Sequence, residues 1–154
     1  MATIHSIVHH PLDRSYEGEK HEYIRVPLQG ATLIAQHGID GDQKAGHHPD
    51  RNLNLLSLEW LEGLAAQGFR TAPGQFGEQI IVAGMAMERL QPGVRLSLGK
   101  HAIIEISKLR TGCERFEAAQ GRPRKGIEPL GALARVVEGG AIEVGDEVWA
   151  LPAD

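Results

Sequence analysis

The sequence predicts a mainly β protein: a twisted, closed or nearly closed β-barrel carrying a few short helices. Three features lead there. Nineteen glycines and eight prolines are scattered along the whole chain instead of gathering in a linker, which is the punctuation of many short strands. Short apolar or β-branched runs lie between those breaks, and only two stretches have helical spacing. Strands so short hide their apolar faces best when the sheet closes on itself.

The elements follow in order. Residues 3–9 alternate loosely and are partly β-branched, so they read as a first strand, and residues 11–20 are charged enough to be an exposed loop. Residues 23–27 and 31–39 read as extended, with Gly30 turning between them. Residues 41–51 hold two glycines, a proline, two aspartates and two histidines. That mixture cannot supply a packing face, and irregular loops of this length commonly carry function. Residues 53–56 read as a short apolar strand. Ser57 then suits a helix N-cap, with Glu59 in the first turn, Trp60, Leu61, Leu64 and Ala65 on one face, and Gly68 just past the end. Residues 73–78 form a glycine-rich loop that enters a strand at 79–82. Strands at 94–98 and 102–106 read as a hairpin on Gly99-Lys100, whose leading glycine suits a type II′ turn. Residues 112–120 are the second helix. Residues 133–137 and 141–144 read as another hairpin on Gly139-Gly140, and 147–151 as the last strand.

Composition bounds what such a chain does. Its 154 residues suit one domain, and its hydrophobic (42%) and charged (23%) fractions are those of a globular protein. Sixteen Lys and Arg against twenty Asp and Glu give a net charge of -4, which offers no general field for duplex nucleic acid or anionic lipid. The single cysteine, Cys113, removes intramolecular disulfides and zinc sites that need several thiolates. A reducing cytoplasm fits, since residues 1–11 do not read as a signal peptide and no apolar run is long enough to span a membrane.

Cys113 stands out chemically. Thr111-Gly112-Cys113-Glu114 has the form of a capping box, which predicts Thr111 as N-cap and Cys113 at the second helical position. A thiol there faces unpaired amides and the positive end of the helix, with Arg110 and Arg115 adjacent, and all of these favour the thiolate. Gly112 leaves its approach uncrowded. The opposing reading is a buried cysteine acting as a small hydrophobe. The eight histidines do not make a metal site by spacing: His9-His10 and His47-His48 are adjacent pairs that point apart on a strand, so scattered surface residues are the better account. Asp42, His47, Asp50 and Arg51 mix donors, acceptors and a fixed cation, as an anionic polar ligand requires. Arg51 offers a planar fork suited to phosphate, or alternatively a surface ion pair with Asp50.

The motifs Gly41-Asp42, His47/His48-Pro49-Asp50-Arg51, Phe76-Gly77-Glu78, Pro92-Gly93, Leu98-Gly99, Glu105-Ile106-Ser107 with Arg110 and Cys113, Ala134-Arg135-Val136 and Gly145-Asp146 together resemble the MOSC domain, the carboxy-terminal domain of molybdenum cofactor sulfurase. The resemblance covers roughly residues 39–148, and the whole chain, 1–154, is expected to be one such domain. It implies a twisted barrel of the pyruvate-kinase-barrel type and a pocket built from these loops. Cys113 would carry sulfur or coordinate molybdenum in molybdopterin, the molybdenum cofactor. Asp42, His47 or His48, Asp50 and Arg51 would line the pocket, with Phe76, Gly77, Glu78 and Gln79 opposite and Arg110 nearby. Where the family usually reads Gly-Glu-Asn this chain has Gly77-Glu78-Gln79, an amide one methylene longer. A pyridoxal-phosphate domain is not expected in 154 residues, so any sulfur would come from a donor protein. Three functions stay open: an enzyme reducing N-hydroxylated bases or similar small molecules with a redox partner, a persulfide carrier, and a barrel that binds without chemistry.

Overall fold

Alternation along each strand decides which side chains turn inward, and in the computed structural model, which describes residues 1–15 and 23–153, that alternation closes a barrel. The strands are β1 (Ala2–His9), β2 (Val26–Leu28), β3 (Gly30–Ile34), β4 (Gly38–Ile39), β5 (Leu53–Ser57), β6 (Ile80–Ala83), β7 (Arg95–Leu98), β8 (Ala102–Leu109), β9 (Ala132–Glu138), β10 (Gly140–Glu143) and β11 (Glu147–Ala150). Around the barrel the order is β1, β6, β5, β9, β8, β7, β11, and the ring shuts where Ala2 and Thr3 pair with Val148 and Glu147. The far end of β1 pairs instead with β2, Ile7 opposite Leu28. Closure leaves the ring itself without a free edge.

The interior is filled by Ile4, Leu53, Leu55, Ile80, Val82, Leu96, Leu98, Ile104, Ile106 and Val136, with the small residues Ala102, Ala132 and Ala134 between them. Their neighbours in sequence point out. On β8 and β9 these are Glu105 and Arg135, directly opposite each other in register.

Among the described residues only β5 and β6 are parallel neighbours, so their connection has to cross over the barrel. It carries α1 (Leu58–Ala65) onto the outer face. There a second apolar layer forms from Leu56 and Ile81 beneath and Leu61, Leu64, Phe69, Phe76, Phe116 and Leu130 above. Phe76 is its hub: the ring meets Trp60 edge-on at 5.5 Å and Phe116 at 5.1 Å. Phe116 belongs to α2 (Glu114–Gln120), which ends on left-handed Gly121. Among the described residues no helix is long and apolar enough to cross a membrane.

Several expectations need correction. The extended run at 31–39 breaks at 35–37, where Gln36 takes φ 59, and β3 folds back on β4. Gly30 starts β3 instead of turning. The extended run at 23–27 is a strand only from Val26, and part of the 11–20 loop, residues 16–20, lies outside the described residues. The turn after β7 has three residues, since Leu98 pairs with Ala102, so it is not a two-residue type II′ turn. β9 and β10 do not form a hairpin: β10 pairs with β3 in a separate three-stranded sheet. Ser57 holds the N-cap position, but its hydroxyl makes no cap bond. It accepts from the Met87 amide and donates to Glu88 Oε1, each at 2.7 Å, tying β5 to the single-turn helix Met87–Arg89. Ala65 is exposed, so α1 buries a narrower face than its spacing predicts.

Candidate functional site

Segments 23–25, 74–78 and 110–116 converge beside the outer apolar layer. Cys113, not Thr111, is the N-cap of α2, with extended backbone at φ -140 and ψ 176. Tertiary contacts override the local capping signal. The Gly112 amide donates to Glu128 Oε2 at 3.0 Å, and Gly112 is covered by Arg124 and Leu130, where a Cβ would stand 2.6 and 3.0 Å from their side chains. Gly112 is therefore a packing residue under the 124–130 segment, not an open approach.

Cys113 itself is exposed. Partial burial pushes its thiol pKa up, but the amides of Phe116 and Arg115, the Tyr23 hydroxyl and the Arg110 charge outweigh that, and the net direction is down. No cap bond of normal geometry forms, so the amides act on the sulfur through their dipoles. The Tyr23 hydroxyl lies 4.0 Å from Sγ. Burial drives the Tyr23 pKa up to about 12, against the opposing pull of Arg110. Tyr23 consequently keeps its proton where Cys113 loses one, and its hydroxyl is the donor to the thiolate form. Its ring lies against Gly77, whose φ is 76 and where a Cβ would stand 2.5 Å from Tyr23 Cε1.

Beneath this pair lies a scaffold of buried polar groups. Arg110, buried, donates from Nη1 to the Phe76 carbonyl at 2.6 Å. Glu78 is buried and accepts from the amides of Gly74 at 2.6 Å and Phe76 at 3.2 Å. Burial raises its pKa, partly offset by the Gly74 amide, its own amide and the charges of Arg110 and Arg25. Arg25 donates to the carbonyls of Gly77 and Glu78. Gln79 is buried, and its Oε1 accepts from the Asn54 amide at 2.7 Å. The longer amide thus serves β5 and is committed within the chain.

The 41–51 loop divides. Asp42 is buried, its Oδ1 accepting from the His10 amide at 2.9 Å, and His47 Nε2 bonds back to the Gln43 carbonyl. Both hold the loop together. His48, Asp50 and Arg51 instead line a cleft of about 440 Å³ against the outer face of β8 and β9, with Glu105, Ser107, Lys108 and Arg135. The structure therefore separates the sequence-selected residues into a thiol cluster (Phe76, Gly77, Glu78, Arg110, Cys113), a cleft (His48, Asp50, Arg51) and two residues in neither, Asp42 and His47. Gln79 bridges to β5. The thiol and the cleft are connected along the sheet: Lys108 pairs with Leu133, Leu133 with Asn54, and Asn54 Nδ2 donates to the Gly77 carbonyl at 3.4 Å. Sequence reasoning missed Tyr23, Arg25 and Lys108. Nothing local marks them, because their partners lie tens of residues away.

Residues 42–149 match the MOSC domain family. Among solved structures the chain is similar to YiiM from Geobacillus stearothermophilus, at 16% identity and a TM-score of 0.74 over 99% of this chain and 76% of that one. YiiM from Escherichia coli is similar at 18% identity and a TM-score of 0.70, over 99% and 71%. The YuaD protein from Bacillus subtilis is similar at 17% identity and a TM-score of 0.69, over 96% and 94%. At these identities the likeness is one of fold. No curated protein matches the chain.

Proposed function

The chain belongs to the MOSC domain family, and from that premise we propose that it binds the molybdenum cofactor with the Cys113 thiolate as the protein's ligand to the metal, and reduces small N-hydroxylated bases. One observation carries the reading: Cys113 is an exposed thiol whose surroundings favour the thiolate. The residues present fit such a group. Thiolate is the side-chain donor that a soft metal selects, and among the described residues no three His, Cys, Asp or Glu groups come together to hold a harder ion. When bound, the cofactor supplies two-electron redox chemistry.

The chain's own side chains do the rest. Tyr23 keeps a proton 4.0 Å from Sγ, available to a group that gains negative charge beside the sulfur. Arg110 supplies a positive charge in a planar guanidinium, and its bond to Phe76 holds that charge in place. Phe76 and Phe116, both fully buried, exclude water from beneath. A redox partner delivers the electrons.

A second reading rests on the same exposure. As a carrier, the Cys113 thiolate attacks the terminal sulfur of a donor persulfide; a new S–S bond forms on Cys113 as the donor's breaks, and the donor leaves as thiolate. Metal and sulfur analysis of protein made in a host with intact cofactor biosynthesis separates the readings. Stoichiometric molybdenum that is lost in Cys113→Ser supports the cofactor. Cyanide-labile sulfur without molybdenum supports the carrier, and neither one overturns both.

A further inference from the structure

Two clefts lie on the α1 side of the barrel, one of about 390 Å³ and one of about 520 Å³, and they share Glu59, Trp60 and Glu88. Together they make one groove that runs from residues 84–89 past α1 to residues 126–129. Its walls are largely apolar, with Trp60, Leu64, Met85, Ala86, Ile127 and Pro129. Trp60 is anchored from beneath, its ring edge-on to the buried Phe76 at 5.5 Å, and among the described residues no cation lies over it. Gly63 keeps the α1 wall low: a Cβ there would meet none of the described residues within 4 Å beyond its own helix backbone. Glycine is a poor helix former, and no packing inside the chain calls for one at this position.

The groove is also acidic. Among the described residues that line it, the carboxylates Glu59, Glu88 and Glu128 stand against a single cation, Arg89. Glu59 and Glu88 border both clefts and are set in place by neutral donors: the Gly84 amide donates to Glu59 Oε1 at 2.9 Å, and the Ser57 hydroxyl to Glu88 Oε1 at 2.7 Å. Among the described residues neither forms an ion pair, so both charges face the groove uncompensated. Glu128 closes the far end. Its Oε2 accepts from the Gly112 amide at 3.0 Å, and its Oε1 meets Arg124 Nε at 3.6 Å. Gly112 is the residue before Cys113, so the groove ends against the segment that carries the thiol.

We propose that this groove docks an extended basic segment of the protein that serves Cys113, with an arginine or lysine of that segment stacked on Trp60 between Glu59 and Glu88. The inference rests on the reading of Cys113 above, since both the reductase and the carrier need a second protein, as electron donor or as sulfur donor. Apolar walls take the aliphatic stems of such side chains, while the indole face and the carboxylates take their charged heads. An aromatic anchor inside a polar rim is the arrangement that concentrates binding energy at an interface. The net charge of -4 draws in a cationic partner and repels an acidic one. The course of the groove along α1 suits an extended chain better than a compact molecule.

In Trp149→Phe, Trp60 is the single tryptophan, and its emission is expected to shift saturably as a blocked octapeptide of alternating leucine and arginine is added. The counterpart with glutamate for arginine binds about tenfold more weakly or not at all. Glu59→Gln and Glu88→Gln each weaken the arginine peptide with an unchanged melting temperature, because the amide oxygen still accepts from Gly84 or Ser57. Gly63→Leu fills the groove and weakens it about tenfold or more, while the better helix former keeps the melting temperature from falling. Lys100→Gln leaves the affinity as it was. The same peptide ending in a thiopyridyl-capped cysteine reads the reach to Cys113. The thiolate attacks the peptide sulfur, a new S–S bond forms and pyridinethione leaves, at a rate that saturates with peptide and drops in Gly63→Leu; a small uncharged pyridyl disulfide reacts equally with both proteins. Absence of a saturable shift, equal affinity for the two peptides, or ethylguanidinium binding as tightly as the arginine peptide overturns the proposal, and a shift without a saturating rate overturns the link to Cys113. Neither readout depends on molybdenum or on bound sulfur, so failure here is distinct from failure of the Cys113 reading.

Discussion

Replacing Gly77 by Ala tests the link between backbone geometry and thiol chemistry at a single atom. At φ 76 an L side chain pays about 1–2 kcal/mol for the left-handed conformation, which for a chain of this size lowers the melting temperature by about 2–8 °C. The new methyl would stand 2.5 Å from Tyr23 Cε1 and 2.6 Å from Cζ, whereas carbon atoms rest at about 3.5–4.0 Å. The ring must withdraw by about 1 Å or more. It carries with it a hydroxyl that is already at the 4.0 Å limit of a contact with Sγ. The thiolate then loses a donor, and its pKa moves back up toward the ordinary thiol range. Thermal unfolding by circular dichroism reads the first effect, and the pH profile of iodoacetamide alkylation reads the second. A wild-type melting temperature would refute the positive φ. An unchanged alkylation profile beside a lowered melting temperature would refute the coupling of Tyr23 to Cys113.

The other expectations are more direct. In the wild-type protein Cys113 alkylation reaches half its maximal rate below the usual thiol pKa of about 8.5; the thiolate is the reactive form, so a lowered pKa keeps it populated toward neutral pH and it is lost as pH falls through that value. A midpoint at or above the usual one contradicts the direction found here. Tyr23→Phe keeps the ring against Gly77 and removes only the hydroxyl, so it shifts the same profile upward with little change in melting temperature. Phe76→Ala removes the hub of the outer layer, a fully buried ring, and costs about 3–5 kcal/mol, read as a lower denaturant midpoint; a loss under 1 kcal/mol, about the scale of an ordinary surface change, contradicts its role. Glu78→Ala strands the amides of Gly74 and Phe76 at about 1–3 kcal/mol each, and hydrogen exchange at those two amides should rise sharply; protection equal to wild type contradicts the clamp.

What the sequence determined by itself is whatever is written in short-range pattern. The strands read at 102–106 and 133–137 already separate Ile104, Ile106, Ala134 and Val136 from Glu105 and Arg135, because a period of two is a property of the extended chain. The helix after Ser57 was legible in the same way, and the cations beside Cys113 already pointed to the lowered direction of its thiol pKa. The tertiary structure decided the rest. It moved the N-cap from Thr111 to Cys113 by packing Gly112 beneath Arg124 and Leu130, and it sent β10 away from β9 to β3, choices that no local window encodes. It also split a single loop, holding Asp42 and His47 in the loop's own framework while placing His48, Asp50 and Arg51 on the outer face of β8 and β9. Tyr23 meets Cys113 across ninety positions. Such a contact depends on how the closed ring turns its strands around a common axis, and a linear pattern carries no record of that angle.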